Sequence, residues 1–263
     1  MLLENSIIFL SAIMRIALIS DIHANVFALE AVLNAINNQG CDLVINLGDI
    51  LYGPISPRET FECLEANNCL TIKGNQDDDI IIAARQSSAQ PNPTLAWVLE
   101  QLPSRAVQWL AELPDEITLE EVYVCHGAPG NNCLYLTEDV STGLPYPRSD
   151  ANIQQQLAGT TQPVIVCGHS HLPRAIWLES NQLVVNPGSV GLPAYRDDLP
   201  HPHAMETFSP HARYCLLDKT QHGWQVSQQQ VPYPHLEAAK LARSRNRPDW
   251  AYALMTGRAV VTG

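Results

Sequence analysis

The chain is poor in basic residues. Its 263 residues include 15 Lys and Arg against 27 Asp and Glu, which gives a formal net charge of −12 at pH 7. A general nucleic-acid-binding protein normally presents a basic face to the phosphate backbone, so this composition argues against general nucleic-acid binding. An anionic substrate would need strong local positive charge, which bound metal ions can supply.

Paired cysteines and long apolar runs are also missing. The seven cysteines are scattered and form no CxxC pair, so a disulfide framework is not expected and we predict a reducing, cytoplasmic location. No run of about 18 apolar residues occurs, which predicts no membrane span. The apolar start, MLLENSIIFLSAI, contains Glu4, lacks a basic region before it and continues directly into a strand, so it does not resemble a signal peptide.

We therefore interpret residues 1–13 as a non-native or extra N-terminal extension and Met14 as the true start. Residues 14–263 are predicted to form a single domain.

Strand-like and helical patterns alternate in the first half of the chain. Apolar runs predict strands at 15–20, 42–47 and 69–73, and helical spacing predicts helices at 26–37 and 57–66. This alternation predicts an α/β protein with helices on both faces of a sheet.

The second half is more mixed. Short helices broken by prolines, at 80–85, 94–101 and 105–112, predict a helical insertion over about 80–114. C-terminal helices are predicted at 235–245 and 248–256, within about 235–257. The segments 128–150 and 196–211 are predicted to be irregular. Further strands are predicted at 117–125, 163–167, 174–179, 182–186, 212–218 and 223–231.

Five strand-like runs each end in a group that can bind a metal. Ligands gather outside the carboxyl ends of the strands in an open α/β sheet, so the pattern predicts one polynuclear metal site. A lone Asp-x-His is usually an accident or a capped turn, whereas a Gly-His-x-His after a buried strand is a better sign of a metal; their joint occurrence at strand ends carries the prediction. The groups are Asp21 with His23, Asp49, Asn75, His126, and His169 with His171.

These motifs resemble those of the calcineurin-like metallophosphoesterases. They read Asp21-x-His23, Gly48-Asp49, Gly74-Asn75, His126-Gly127 and Gly168-His169-x-His171. The stretches SDIHANVFALEAVL, GDILYGPISPRE and VNPGSVGLP are similar to one bacterial and archaeal branch of small phosphoesterases. The resemblance implies a four-layer α/β/β/α sandwich that holds two divalent ions, with Mn²⁺ expected first and Fe, Ni²⁺ or Zn²⁺ as alternatives.

The resemblance also implies a role for each of these side chains. One ion would be held by Asp21, His23, Asp49 and His171, and the other by Asp49, Asn75, His126 and His169. Asp49 would bridge the ions and position a hydroxide that attacks phosphorus in a phosphodiester, a phosphomonoester or a nucleotide-type anhydride.

Three further residues are expected near the substrate or behind the ligands. Asn75 and Arg196 are candidate contacts of a small phosphorylated substrate, the latter through a charge-assisted pair. Asn186, in the sequence Asn-Pro-Gly-Ser, is a candidate support behind the metal site. The alternatives are a solvated loop for Arg196 and a simple turn for Asn186.

One position departs from the family pattern. Many relatives carry a histidine that protonates the leaving group where this chain has Gln76. An amide has no titratable proton near neutral pH, so Gln76 can only form hydrogen bonds. A histidine of the segment 197–211 (His201, His203 or His211) is a candidate replacement, although a flexible surface loop is the favoured interpretation of this segment.

Two other functions stay open at this stage. The chain could be a metallophosphoesterase-like binding scaffold with little turnover, although all seven ligand residues are present. It could also be a protein serine/threonine phosphatase, for which the sequence offers no positive sign. The sequence does not determine the substrate, the metal or the oligomeric state.

Overall fold

The computed structural model describes residues 14–86, 91–157 and 159–260. Within them, two five-stranded sheets pack face to face, with helices on the outer side of each. The strands are β1 Met14–Ile19, β2 Leu43–Asn46, β3 Leu70–Thr71, β4 Ile117–Thr118, β5 Val122–Val124, β6 Glu138–Asp139, β7 Tyr146–Pro147, β8 Val164–Val166, β9 Arg174–Trp177, β10 Leu183–Asn186, β11 Ala194–Asp197, β12 His203–Glu206, β13 Ala212–Thr220 and β14 Gly223–Val231. The helices are α1 Val26–Asn37, α2 Pro57–Glu65, α3 Asn75–Arg85, α4 Pro93–Gln101, α5 Ser104–Glu112, α6 Asp150–Gln156, α7 His235–Ser244 and α8 Pro248–Thr256.

The strand order places five carboxyl ends where a site can form. The first sheet has the order β14-β13-β1-β2-β3, and β1, β2 and β3 run parallel. The second has the order β4-β5-β8-β10-β9, and β5, β8 and β10 run parallel. The predicted ligands follow β1, β2 and β3 in one sheet and β5 and β8 in the other, so both sheets contribute to the site.

Alternation along the strands builds the layers. In β1, Ile16 and Leu18 enter the apolar core between the sheets, whereas Ala17 and Ile19 face the helices of the first sheet. A separate core lies on the outer face of the second sheet. There Ile165 of β8 packs with Ile153 of α6 and with Leu157, which follows α6. The predicted four-layer α/β/β/α sandwich is confirmed. Among the described residues, no helix is both long and apolar enough to cross a membrane.

Helix α3 begins earlier than the helix predicted over residues 80–85. Its first residue is Asn75, not Ile80. Asp77 caps the start, because its Oδ2 accepts a hydrogen bond from the Gly74 N–H at 2.9 Å. The run of aspartates hid the helical pattern, although acidic residues are favoured in a first turn by the helix dipole.

Two segments predicted to be irregular contain regular structure. The segment 128–150 holds the short hairpin β6–β7 and the start of α6, whose polar sequence buries only Ile153. The segment 196–211 holds most of the antiparallel pair β11–β12. Its first two prolines lie between these strands, so they interrupt no ladder.

The run 117–125, predicted as one strand, is two strands, because β4 and β5 form an antiparallel hairpin.

The assignment of residues 14–263 to one domain stays a prediction. The proposed extension, residues 1–13, lies outside the described residues. Helices α3, α4 and α5 occupy the stretch predicted as a helical insertion, and α7 and α8 occupy the predicted C-terminal helical region.

Candidate metal centre

The first of two donor clusters joins the end of β1 to the end of β8. His171 Nε2 lies 3.3 Å from Asp21 Oδ1 and 3.0 Å from His23 Nε2. All three side chains are buried. Their donor atoms lie within 4.8 Å of one another, a spacing at which one ion could contact all three.

The second cluster uses the ends of β2, β3, β5 and β8. His126 Nε2 lies 3.5 Å from Asp49 Oδ2 and 3.1 Å from Asn75 Oδ1. Donor atoms of Asp49, His126 and His169 also lie within 4.8 Å of one another. The clusters are adjacent, since the His169 N–H donates to Asp21 Oδ2 at 3.1 Å. The structure thus brings together all seven residues that were predicted from the sequence.

The imidazoles of the first cluster are oriented as cation ligands. His23 Nδ1 lies 3.2 Å from the Tyr52 carbonyl oxygen, and His171 Nδ1 lies 2.7 Å from the Leu192 carbonyl oxygen. A carbonyl only accepts, so each Nδ1 carries the proton and each Nε2 directs a lone pair into the cluster. Two such lone pairs at 3.0 Å repel each other unless a cation lies between them. Asp21 Oδ1 is buried and has no hydrogen-bond partner, so this donor set fits a divalent ion.

Strained backbone is concentrated at these donors. Asp21, His23, Asp49, His169 and His171 all have left-handed φ values, between 49° and 65°. Each non-glycine residue in this region costs on the order of 1–3 kcal/mol, and such residues cluster at functional sites. The backbone strain is an observation independent of the sequence motifs, and it indicates the same residues as functional.

Burial and charge make this site suitable for cations. Burial alone would raise the pKa of Asp21 and Asp49, but the charges of adjacent histidines lower the pKa of both carboxyls below the ordinary value. Burial, aided by the charge of a neighbouring imidazole, lowers the pKa of His23 and of His169 to about 4. At neutral pH the carboxylates are therefore ionised and these two imidazoles are neutral, which is the form that binds metal.

Asp77 and Gly74 fix the loop that carries Asp49. Asp77 Oδ1 accepts from the Ile50 N–H at 3.0 Å, and its Oδ2 accepts from the Gly74 N–H. A Cβ on Gly74 would lie 2.2 Å from Asp49 Oδ1, so only glycine permits this approach. Asp77 was not predicted as a site residue; its place three residues after Gly74 is the capping signal that could have identified it.

A cleft of about 440 Å³ lies over the two clusters. Gln76 and Arg196 line it, as expected for residues near a substrate. Gln76 donates its backbone N–H to Asp49 Oδ1 at 2.9 Å. Arg196 is exposed on β11. The cleft residues that sequence reasoning missed include Tyr52, Tyr195, Arg247 and Trp250.

Asn186 supports the loop between β8 and β9 from behind. Its Nδ2 donates to the Gly168 carbonyl oxygen at 2.7 Å and to Ser170 Oγ at 3.1 Å. Its Oδ1 accepts from the Gly188 N–H at 2.8 Å. Asn186 thus connects Gly168 and Ser170, the residues on either side of His169, to the turn after β10.

None of the three histidines of the segment 197–211 lines the cleft. His201 is exposed and His211 is half-buried, whereas His203 is buried with its Nε2 3.2 Å from the Tyr135 hydroxyl. The segment therefore does not bring a replacement acid to the cleft in this structure.

Two tyrosines support the histidines that follow β8, and His203 of the segment 197–211 contacts one of them. The Tyr135 ring stacks on His169 with centroids 4.6 Å apart, and the Tyr195 ring meets His171 edge-on at 4.5 Å. The Tyr195 hydroxyl lies 3.0 Å from the His169 carbonyl oxygen and 3.1 Å from the Tyr135 hydroxyl. His203, at the end of this hydrogen-bonded chain, thereby acts on the site indirectly.

Tyr195→Phe is expected to weaken metal binding while the fold is kept. The variant retains the ring against His171 and removes only the hydroxyl that holds the His169 backbone. Loss of such an outer partner typically lowers metal affinity by about 10–100-fold. Titration calorimetry with Mn²⁺ measures the effect. Tyr146→Phe, which removes the hydroxyl of an exposed tyrosine of β7, is the matched control; equal Mn²⁺ affinity in both variants would contradict the supporting role.

A two-sheet sandwich with histidine and carboxylate donors at the shared strand ends defines the metallophosphoesterase class of fold. The sequence model of the calcineurin-like phosphoesterase superfamily domain matches residues 14–207, and the chain belongs to this superfamily.

Several proteins are similar along most of the chain. A metallophosphoesterase from Sphaerobacter thermophilus has 25% sequence identity and a TM-score of 0.70, and the match covers 93% of this chain and 99% of that one. An uncharacterized protein from Methanocaldococcus jannaschii is 28% identical over an alignment of 259 residues, and the match covers 89% of this chain and 94% of that protein. These relatives are of the small bacterial and archaeal type. A candidate diadenosine tetraphosphatase, with 16% identity and a TM-score of 0.53, shares the fold; that match covers 83% of this chain and 94% of the other.

Proposed function

We propose that this protein is a two-metal phosphoesterase that hydrolyses phosphodiester, phosphomonoester or nucleotide-type phosphate bonds. The observation that supports this proposal is the pair of adjacent donor clusters beneath one cleft, with imidazole nitrogens directed inward and strained backbone at five donors. One ion would be held by Asp21, His23, Asp49 and His171. The other would be held by Asp49, Asn75, His126 and His169, with the Asp49 carboxylate shared between them.

Two bound divalent ions would lower the pKa of a water molecule and neutralise charge on the phosphoryl oxygens. In the overall reaction, water oxygen bonds to phosphorus, and the bond from phosphorus to the leaving oxygen breaks. The leaving oxygen keeps the electron pair and finally takes a proton. The imidazole and carboxylate ligands suit Mn²⁺ first, and also Fe, Ni²⁺ or Zn²⁺.

The chain's own residues would orient the substrate in the cleft. Asn75 directs its Oδ1 toward His126, which leaves its amide N–H groups to donate to a phosphoryl oxygen. Arg196 has no carboxylate within 4.0 Å among the described residues, so its guanidinium can pair with an anion. Gln76 can donate a hydrogen bond but no catalytic proton.

Removing the metals is expected to abolish hydrolysis reversibly. We expect chelator-treated protein to be inactive on 4-nitrophenyl phosphate and bis(4-nitrophenyl) phosphate, and to regain activity when Mn²⁺ is returned. Metal analysis of untagged protein should give two ions per chain. Two bound ions without turnover of any substrate in a broad panel would favour the scaffold alternative, and turnover of phosphopeptides alone would favour a protein phosphatase.

We also propose that the protein works in the cytoplasm. All seven cysteines are free in the structure, which is in keeping with a reducing compartment. Cell fractionation tests this location.

A further inference from the structure

The C-terminal part of the chain brings an arginine close to the metal site. Trp250 of α8 meets the His23 ring edge-on, with centroids 5.7 Å apart and planes at 84°. The guanidinium carbon of Arg247 lies 5.2 Å from the centroid of the Trp250 ring. Trp250 and Arg247 both line the cleft, and a single indole ring separates the guanidinium from a predicted metal ligand.

Arg247 is held in place by its neighbours. Its Nε and Nη2 donate to the two carboxylate oxygens of Asp249 at 2.9 and 2.6 Å, and its Nη1 donates to Thr94 Oγ1 at 2.7 Å. These bonds use three of its five N–H groups. One N–H on each terminal nitrogen is left without a partner among the described residues, and such a planar pair suits an oxyanion.

The cleft therefore contains two arginines of different kinds. Arg247 is oriented and partly neutralised by Asp249, whereas Arg196 is exposed and has no ion pair among the described residues. Arg196 also lies close to the C-terminal part of the chain, because its Nη1 is 3.5 Å from the Val260 carbonyl oxygen. Because the Trp250 ring lies between Arg247 and His23, Arg247 is displaced from the position of a phosphoryl group held at the metals. A second anionic group would reach it instead.

We infer, building on the proposed phosphoesterase activity, that the substrate carries a second phosphoryl group linked to the scissile one, as in a nucleoside diphosphate. Arg247 binds the second phosphoryl group, and the exposed Arg196, which lines the same cleft, adds a second positive charge there. Charge-assisted hydrogen bonds supply the recognition, and the bond cleavage is the hydrolysis described above.

Arg247→Gln is expected to separate substrates with one and two phosphoryl groups. The variant should lower kcat/KM for adenosine 5′-diphosphate by about 10–100-fold, the equivalent of one charge-assisted hydrogen bond. Hydrolysis of 4-nitrophenyl phosphate, which has no second phosphoryl group, should stay close to that of the parent. Arg243→Gln, on the exposed side of α7, is the matched control and should leave both rates unchanged.

A binding measurement tests the same inference without turnover. In the presence of chelator, equilibrium dialysis should show that adenosine 5′-diphosphate binds more weakly to Arg247→Gln than to the parent. Thr94→Val, which removes only the contact to Nη1, gives an independent variant should Arg247→Gln not fold. Equal binding and an unchanged substrate ratio in the variants would overturn the inference. A parent that binds no Mn²⁺ and cleaves neither substrate would instead overturn the proposed function.

Discussion

Asp49→Asn is expected to release both metal ions and to abolish hydrolysis. The asparagine keeps an oxygen that can accept the Gln76 N–H, which lies 2.9 Å from Asp49 Oδ1, so the loop around it should retain its structure. It removes the negative charge that both ions would share, and a shared carboxylate reduces the repulsion between two dications. We therefore expect a loss well beyond the about 10–100-fold that follows removal of an outer partner.

Metal analysis of the purified variant, together with its thermal unfolding, measures this effect. Asp79→Asn is the matched control, because Asp79 is an exposed aspartate of the same helix α3. Loss of only one ion would show that Asp49 belongs to the second cluster alone, with His126 and His169. Two ions and full activity in Asp49→Asn would contradict the assignment of Asp49 as a ligand.

The order of the donors along the sequence was enough to predict the centre. Parallel strands in one sheet present their carboxyl ends together, so the groups after β1 and β2 could be expected to lie near each other, and likewise those after β5 and β8. Asp21 and His171 meet at 3.3 Å although 150 positions separate them in the sequence. The periodicity of each apolar run predicts only that strand. The donors of the two sheets meet because the sheets pack face to face, which brings Asp21 after β1 next to His171 after β8.

What sequence reasoning missed depends on contacts between distant segments. The left-handed backbone at His23 and His169 is imposed by the surrounding loops and leaves no trace in residue type. Arg247 and Trp250 reach the cleft through the packing of α7 on α8, and no local motif marks them. Helix α6, the outer layer of the second sheet, has too few apolar residues to show a helical stripe.

The segment 196–211 shows how composition can mislead. Its prolines and histidines suggested an irregular, solvated loop, yet β11 and β12 pair within it and place Met205 and His203 in the interior. Two of its three prolines, Pro200 and Pro202, lie in the connection between the strands, so they interrupt no ladder. The buried His203 then contributes to the site by its contact with Tyr135.

Gln76→His is expected to speed the hydrolysis of esters with poor leaving groups. Gln76 lines the cleft, so an imidazole at this position could reach a leaving oxygen, and histidine titrates near neutral pH. A positioned general acid contributes about 10²–10⁴-fold. We expect the gain to stay at or below the lower end of this range, because an imidazole also needs an orienting partner.

The two aspartates that follow Gln76 in the sequence are already engaged. Asp77 accepts hydrogen bonds from the backbone N–H groups of Gly74 and Ile50, and Asp78 is paired with Lys73 at 2.8 Å. Neither is free to orient a histidine at position 76. The rate gain of Gln76→His should therefore come only from placing the imidazole proton near the leaving oxygen. This gain should rise with the pKa of the leaving group.

The measurement is the slope of log kcat against leaving-group pKa, for parent and variant, over a series of aryl and alkyl phosphates. It shows whether the parent enzyme has a general acid. A parent without a general acid should show a steep negative slope, because the leaving oxygen must depart without a proton, and Gln76→His should make it shallower. Gln76→Asn, an amide with no titratable proton, is the matched control and should keep the steep slope. A parent whose slope is already shallow would mean that a proton donor acts from elsewhere. The histidines of 197–211 do not line the cleft, so the tyrosines that do, Tyr52 and Tyr195, would be the next residues to replace with phenylalanine.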